Sequence, residues 1–281
     1  MSTTDISHDN SVFDNLNTLQ ASLEQGVLHI TLNRPKARNA MSLEMVKELS
    51  TLFATAEQRP DLRAIVLRGA AGHFCAGGDI KDMASARGSS PKRDDGTEDP
   101  FFTLNRAFGR MLCQVQSARQ VVVVITEGAT LGGGFGLACV SDVAITAADA
   151  QFGLPETGLG LPPAQIAPFV VKRIGLTQAR RLALLGARFD GQEAQRLGIA
   201  HYVCASDQEI AETLTTVLSQ IKRCAPDANA MTKMLLLNTL ESPLESVLDL
   251  GAEQFAQAAR SPEATEGAMA FIQKRQPKWA E

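Results

Sequence analysis

The chain has 281 residues, of which 44% are hydrophobic and 21% charged, and its formal net charge is −4. A chain of this length buries a sizeable core without disulfide staples, as one large domain or two modest ones. The negative balance excludes a global positive field that would recruit nucleic acid, so an anionic ligand must be held by local cations and backbone N–H groups. Five scattered cysteines, none in a C-x-x-C pair, support neither a zinc site nor a disulfide framework and fit a reduced, cytoplasmic compartment. Met1 to Asn10 is polar and acidic and does not read as a signal peptide. Apolar runs such as Val121 to Ile125 are too short to span a bilayer.

In chain order, residues 1–22 read as a flexible arm. Val27 to Leu32 is rich in β-branched residues and predicts a strand that ends at Asn33-Arg34-Pro35. Ser42 is placed to cap a helix carrying Leu43, Val46, Leu49 and Phe53 at helical spacing. Ala64 to Leu67 predicts a short buried strand, followed by a glycine-rich stretch from Gly69 to Gly78. Ser85 to Pro100 has almost nothing apolar and reads as a mobile surface loop. Val121 to Thr126 is a second buried strand, after which Leu131-Gly132-Gly133-Gly134-Phe135-Gly136 opens an apolar helix. Asp142 to Thr146 returns as a strand.

From Thr177 onward the pattern is mostly helical. Thr177 and Gly186 are read as the cap and stop of one helix, and Asp190 with Glu193 as the capping box of another that ends near Gly198. Pro262 to Trp279 places Ala264, Ala268, Phe271 and Ile272 on one face, followed by Lys274 and Arg275. Strands alternating with helices, then helices alone, predict an α/β core at 23–205 and a helical C-terminal region at 206–281.

Each of the two glycine-rich turns, Phe74 to Ile80 and Gly132-Gly133-Gly134, follows a short apolar strand and leads toward a helix. Glycine lets backbone approach a ligand closely, and a helix N-terminus offers unpaired N–H groups at a positive dipole end. Two such groups converging on one oxygen make an oxyanion hole for a thioester enolate. A dinucleotide fingerprint competes, since Glu156 lies about 20 residues past Gly136. Its spacing fails because Leu137 stands where Gly or Ala is required. No Gly-Lys-Ser/Thr follows, so a P-loop is excluded too. The four histidines (His8, His29, His73, His201) match no nucleophile–base pattern.

Phe74-Cys75-Ala76-Gly77-Gly78-Asp79-Ile80-Lys81-Asp82-Met83, Leu131 to Gly134, Ser141-Asp142, Gln151 to Glu156 and Gly158-Leu159-Gly160 together resemble the crotonase (enoyl-CoA hydratase/isomerase) superfamily, over roughly residues 24–280. The resemblance implies a spiral of ββα turns with a C-terminal helical trimerisation region, often giving a dimer of trimers (a hexamer). It implies an acyl-CoA substrate, with coenzyme A present only as part of the thioester and with no permanent cofactor or metal. It assigns the N–H groups of Ala76 and Gly133 to the oxyanion hole and Glu156 to acid/base catalysis. Arg38, Ala40, Gly77, Gly78, Asp79, Ile80, Gly132, Phe271 and Lys274 would surround the CoA moiety, with Lys81 a further cation and the last helix often supplied by a neighbouring subunit.

Hydratases of this family carry two glutamates, and here the first falls on Gly136. Phe135-Gly136-Leu137 and Gly160 to Val171 resemble bacterial hydratases of branched glutaconyl-CoA thioesters. The expected substrate is isohexenylglutaconyl-CoA, from acyclic terpene breakdown. The alternatives are 3-methylglutaconyl-CoA hydration, enoyl-CoA isomerisation and a non-catalytic CoA-binding scaffold. A second glutamate would repel the substrate's own carboxylate, so Gly136 is expected to remove that charge and leave room for a branch.

Overall fold

The β-branched run Val27–Leu32 forms strand β2 as its pattern predicts, in a computed structural model that describes residues 13–79 and 99–280. Its partner was not anticipated. Leu19–Glu24 forms β1, antiparallel to β2 with Leu19 opposite Leu32 and Glu24 opposite Val27. The expected arm is therefore structured from at least Phe13, which is buried in the core. Leu19, Ala21 and Leu23 turn inward between exposed Gln20, Ser22 and Glu24, a period of two that marks a half-buried strand. Glu48 anchors the entry by accepting from the Thr18 N–H and hydroxyl and from the Asn17 N–H.

β3 (Ala64–Gly69), β4 (Val121–Thr126), β6 (Val143–Ala147) and β9 (Tyr202–Cys204) extend this sheet in parallel, giving the order β1-β2-β3-β4-β6-β9. A second, three-stranded sheet holds β5 (Ala129–Leu131), β7 (Gln151–Gly153) and β8 (Arg188–Phe189). Cys75 bridges in parallel to Thr130 of β5. Successive turns of chain thus visit the large sheet and then the small one: β3 then Cys75, β4 then β5, β6 then β7. This is the expected α/β spiral of ββα turns.

Helices close the turns. α1 (Leu43–Glu57) starts where Ser42 Oγ accepts from the Met45 N–H at 3.2 Å and buries Met45, Val46, Leu49, Leu52 and Phe53. α2 (Pro100–Ser117) was not read in advance, and it begins at the residue where the surface loop was expected to end. Asp99 caps it, with Oδ1 accepting from the Phe101 N–H at 2.7 Å, and Pro100 occupies the first turn. The rest of that expected loop lies mostly outside the described residues. α3 (Gly133–Val140) is apolar all round because core surrounds it; Phe135 packs edge-on against Phe152 and Phe189.

α4 (Ala167–Leu185) breaks at Gly175, two residues before Thr177, and ends at left-handed Gly186 as expected. α5 (Gly191–Arg196) realises half of the capping box. Asp190 accepts from the Glu193 N–H, while the Glu193 carboxylate pairs with Arg181 and Arg196 instead.

α6 (Asp207–Arg223), α7 (Pro226–Asn238), α8 (Leu244–Ala259) and α9 (Pro262–Gln273) follow the last strand. Lys233 ties α7 to the sheet, donating to the carbonyls of Ala118 and Gln120, each at 2.7 Å, and to Asp142. α8 and α9 leave large apolar side chains bare, among them Phe255, 76% exposed, and Phe271, 86% exposed.

Candidate active site

The small sheet places three strand ends side by side. The Leu131 N–H donates to the Cys75 carbonyl at 2.9 Å, and the Gly132 N–H donates to the Gly153 carbonyl at 3.0 Å. The segments leaving those ends carry Gly77 and Gly78, then Gly132 and Gly133, then Glu156. All five residues line one cavity of about 250 Å³. Its other walls come from Met41 and Val46, from Leu104, Asn105 and Phe108 of α2, and from Leu159 and Leu161 to Ile166. The segment 162–165, unplaced by sequence, is therefore part of the wall.

Glu156 opens a short 3-10 helix, Glu156–Leu159. Its Oε2 is buried and has no hydrogen-bond partner among the described residues. Burial pushes its pKa above the ordinary glutamate value, offset in part by its own backbone N–H. A carboxylate on a cavity wall, with an unused oxygen and a raised proton affinity, is suited to take and return a proton.

The two glycine turns contribute unequally. Gly133 is the first residue of α3, and intrahelical bonding there begins only with the Gly136 N–H, which donates to the Gly132 carbonyl at 2.9 Å. The Gly133 N–H is therefore left over for a ligand. The Ala76 N–H, expected as the second donor, is already engaged with the Arg38 carbonyl at 3.0 Å. Two residues further on, Met41 exchanges backbone bonds with Gly77 and Asp79, which turns Gly78 away from that ladder. The Gly78 N–H has no protein partner among the described residues and belongs to the cavity wall. The available donor pair is thus Gly78 and Gly133, with Ala76 serving to fix the turn. Asp79 is locked by Arg34 at 2.6 Å, and the same guanidinium donates to the Ala40 carbonyl.

The remaining CoA-site expectations divide. Gly77, Gly78, Asp79 and Gly132 line the cavity, whereas Arg38, Ala40, Phe271 and Lys274 do not. Arg38 is exposed in a left-handed turn (φ 47°), and Phe271 and Lys274 lie exposed at the end of α9. Within one chain these four do not build the pocket. Ile80 and Lys81 lie outside the described residues. His73 and His201 have backbone roles, each Nδ1 accepting an N–H, from Ala129 and Ala144 respectively. Among the described residues no three His, Cys, Asp or Glu side chains group as metal ligands.

The vacancy at Gly136 is filled. A Cβ there would lie 2.4 Å from Ile166 Cγ2 and 3.6 Å from Leu112 Cδ1. The space expected for a substrate branch holds Ile166, which is 3% exposed and reaches the cavity wall from the Pro162–Gln165 turn.

A family model described as enoyl-CoA hydratase/isomerase matches residues 22–281. The chain belongs to the enoyl-CoA hydratase/isomerase family. The solved structure of Pseudomonas aeruginosa AtuE is 58% identical and superimposes with a TM-score of 0.89 over 94% of this chain and 100% of that one. A probable enoyl-CoA hydratase, echA8, of Mycobacterium tuberculosis is 33% identical over 93% of this chain and 97% of its own. A peroxisomal Delta(3,5)-Delta(2,4)-dienoyl-CoA isomerase of Arabidopsis thaliana is 31% identical over 95% and 98%. This enoyl-CoA hydratase/isomerase is an enzyme of the hydro-lyase type with a crotonase-like fold, and it acts on CoA thioesters. Sequence reading missed Asn105 and Phe108 of its cavity because α2 was not read. The signal was there in Asp99-Pro100 followed by Leu104, Phe108, Met111, Leu112 and Val115 at helical spacing.

Proposed function

We propose that this enzyme hydrates the double bond of a branched, carboxylated enoyl-CoA of the glutaconyl type, with isohexenylglutaconyl-CoA the favoured substrate and 3-methylglutaconyl-CoA the runner-up. The observation that carries hydration is that Glu156, a carboxylate with one buried oxygen unpartnered among the described residues, lines the same cavity as Gly78 and Gly133. The thioester oxygen accepts from those two N–H groups. Glu156 takes a proton from water as the water oxygen bonds to Cβ, and the electron pair of the double bond moves onto the thioester oxygen as an enolate. Glu156 then returns the proton to Cα, which restores the thioester and the carboxylate. The hole stabilises charge present only along the reaction path, so it speeds chemistry rather than merely binding substrate.

The substrate reading is supported by the resemblance of Phe135-Gly136-Leu137 and of Gly160 to Val171 to hydratases of such thioesters. Gly136 stands where the family's hydratases carry their first glutamate, and Ile166 fills the space beside it, which keeps a second negative charge away from a carboxylated acyl chain. Leu104, Phe108, Leu159 and Leu161 give that chain apolar walls. The bare apolar side chains of α8 and α9 support assembly into trimers or a dimer of trimers. Five free cysteines support a reduced, cytoplasmic setting.

The test is to incubate pure enzyme with straight-chain and glutaconyl-type enoyl-CoAs and follow the products by mass spectrometry. Water addition, fastest on a glutaconyl-type thioester, is expected. A shifted double bond without added water would make the enzyme an isomerase, and binding without turnover would make it a scaffold.

A further inference from the structure

Hydratase chemistry consumes the Glu156 carboxylate and the two N–H groups, and leaves a second polar cluster on the same cavity unexplained. Gln165 projects from the turn before α4 onto α2, where its Oε1 accepts from Arg106 Nη1 at 2.8 Å and its Nε2 donates to Asn105 Oδ1 at 2.8 Å. The contact is built closely. A Cβ on residue 109 would lie 2.0 Å from Gln165 Oε1 and 2.8 Å from Arg106 Nη1, so only glycine lets the pair lie against the helix. A glycine inside a helix is less favourable than alanine, so the contact is made at some expense to α2.

These bonds fix which groups remain. With its oxygen turned to Gln165, Asn105 has both amide N–H groups unused among the described residues, and Gln165 retains one; Asn105 and Gln165 line the cavity. Arg106, half-buried behind Gln165, forms no ion pair among the described residues. Both amide oxygens are turned inward to partners within the cluster while the N–H groups are left over, backed by a full positive charge, which is the chemistry that receives an anion.

We propose that the Asn105–Gln165–Arg106 cluster receives the distal carboxylate of the acyl chain and makes the enzyme selective for dicarboxylic acid mono-CoA thioesters. The Asn105 and Gln165 amides touch the carboxylate, and Arg106 supplies the charge through Gln165. This inference rests on the reading above that the substrate is carboxylated. It assigns the selectivity to the 162–165 turn and α2 rather than to the vacancy at Gly136.

The experiment compares 3-methylglutaconyl-CoA with 3-methylpent-2-enoyl-CoA, in which a methyl group replaces the carboxylate. kcat/KM is measured for both on the native protein, Arg106→Gln and Arg106→Lys. The same pocket turns over both, so misfolding lowers both while their ratio reports the cluster. The charged-to-neutral ratio is expected to exceed one in the native protein and to fall about tenfold or more in Arg106→Gln, chiefly through KM. Arg106→Lys should recover much of it, and added KCl should raise the native KM more for the substrate with the acyl carboxylate than for the one without it, since the CoA phosphates are common to both. A native ratio above one that falls less in Arg106→Gln overturns this inference and spares the substrate reading. A native ratio below one overturns both.

Discussion

A Cβ on residue 132 would lie 2.5 Å from Oε1 of Glu156. The acid and the turn before α3 are thus fitted to one another, and the glycine holds a backbone conformation (φ 48°, ψ −112°) that other residues avoid. Gly132→Ala is expected to destabilise the fold by about 1–3 kcal/mol through backbone strain. It should also push Glu156 off its position and lower kcat more than it raises KM. Thermal melting and steady-state kinetics on one preparation check both effects.

The raised pKa of Glu156 sets the pH behaviour. As the base toward water it must be ionised, so the acid limb of kcat/KM should have its midpoint above the ordinary glutamate value of 4.5. Stability runs the other way. A carboxyl whose folded pKa lies above its unfolded one favours folding while protonated. That contribution is complete below pH 4.5 and is lost as pH rises through the folded value. Glu156→Gln should therefore melt higher than the native protein at pH 7, with the gap closing toward pH 4, while losing most hydration. Near-normal hydration by that variant would remove Glu156 from the mechanism.

Restoring the family's first glutamate should fail in isolation. Gly136→Glu drives a side chain into Ile166 and is expected to cost about 1–3 kcal/mol without improving turnover. Ile166→Ala opens a cavity of its own, so the double variant should be more stable than the sum of the single changes predicts. Additive effects in denaturant titrations would show that the two sites do not share the space.

Gly133→Pro separates helix from donor. Proline is tolerated in the first turn of a helix, where its missing N–H breaks no intrahelical bond. The substitution deletes one oxyanion donor, and kcat is expected to fall about 10²–10³-fold with helix content by circular dichroism little changed. A kcat close to native would exclude the Gly133 N–H. Phe108 Cζ, 3.2 Å from the new Cβ, has to give way slightly.

The residue sequence by itself determined a good deal of this protein. Periodicity placed β2, β3, β4 and the cap of α1, because a buried strand or an amphipathic helix writes its burial pattern locally. The ordered motifs likewise identified the family and singled out Glu156 and the two glycine turns.

Only the tertiary structure decided which N–H groups of those turns are available. The Ala76 N–H is used by Arg38, a residue 38 positions away, while Gly78 is freed by the ladder to Met41. The same holds for Gly136, whose neighbour Ile166 arrives from a different turn of the spiral, and for Arg106, held over Gly109 by Gln165. A local pattern records how one segment meets the core. Which hydrogen bonds and spaces remain for a substrate depends on what distant segments have already taken.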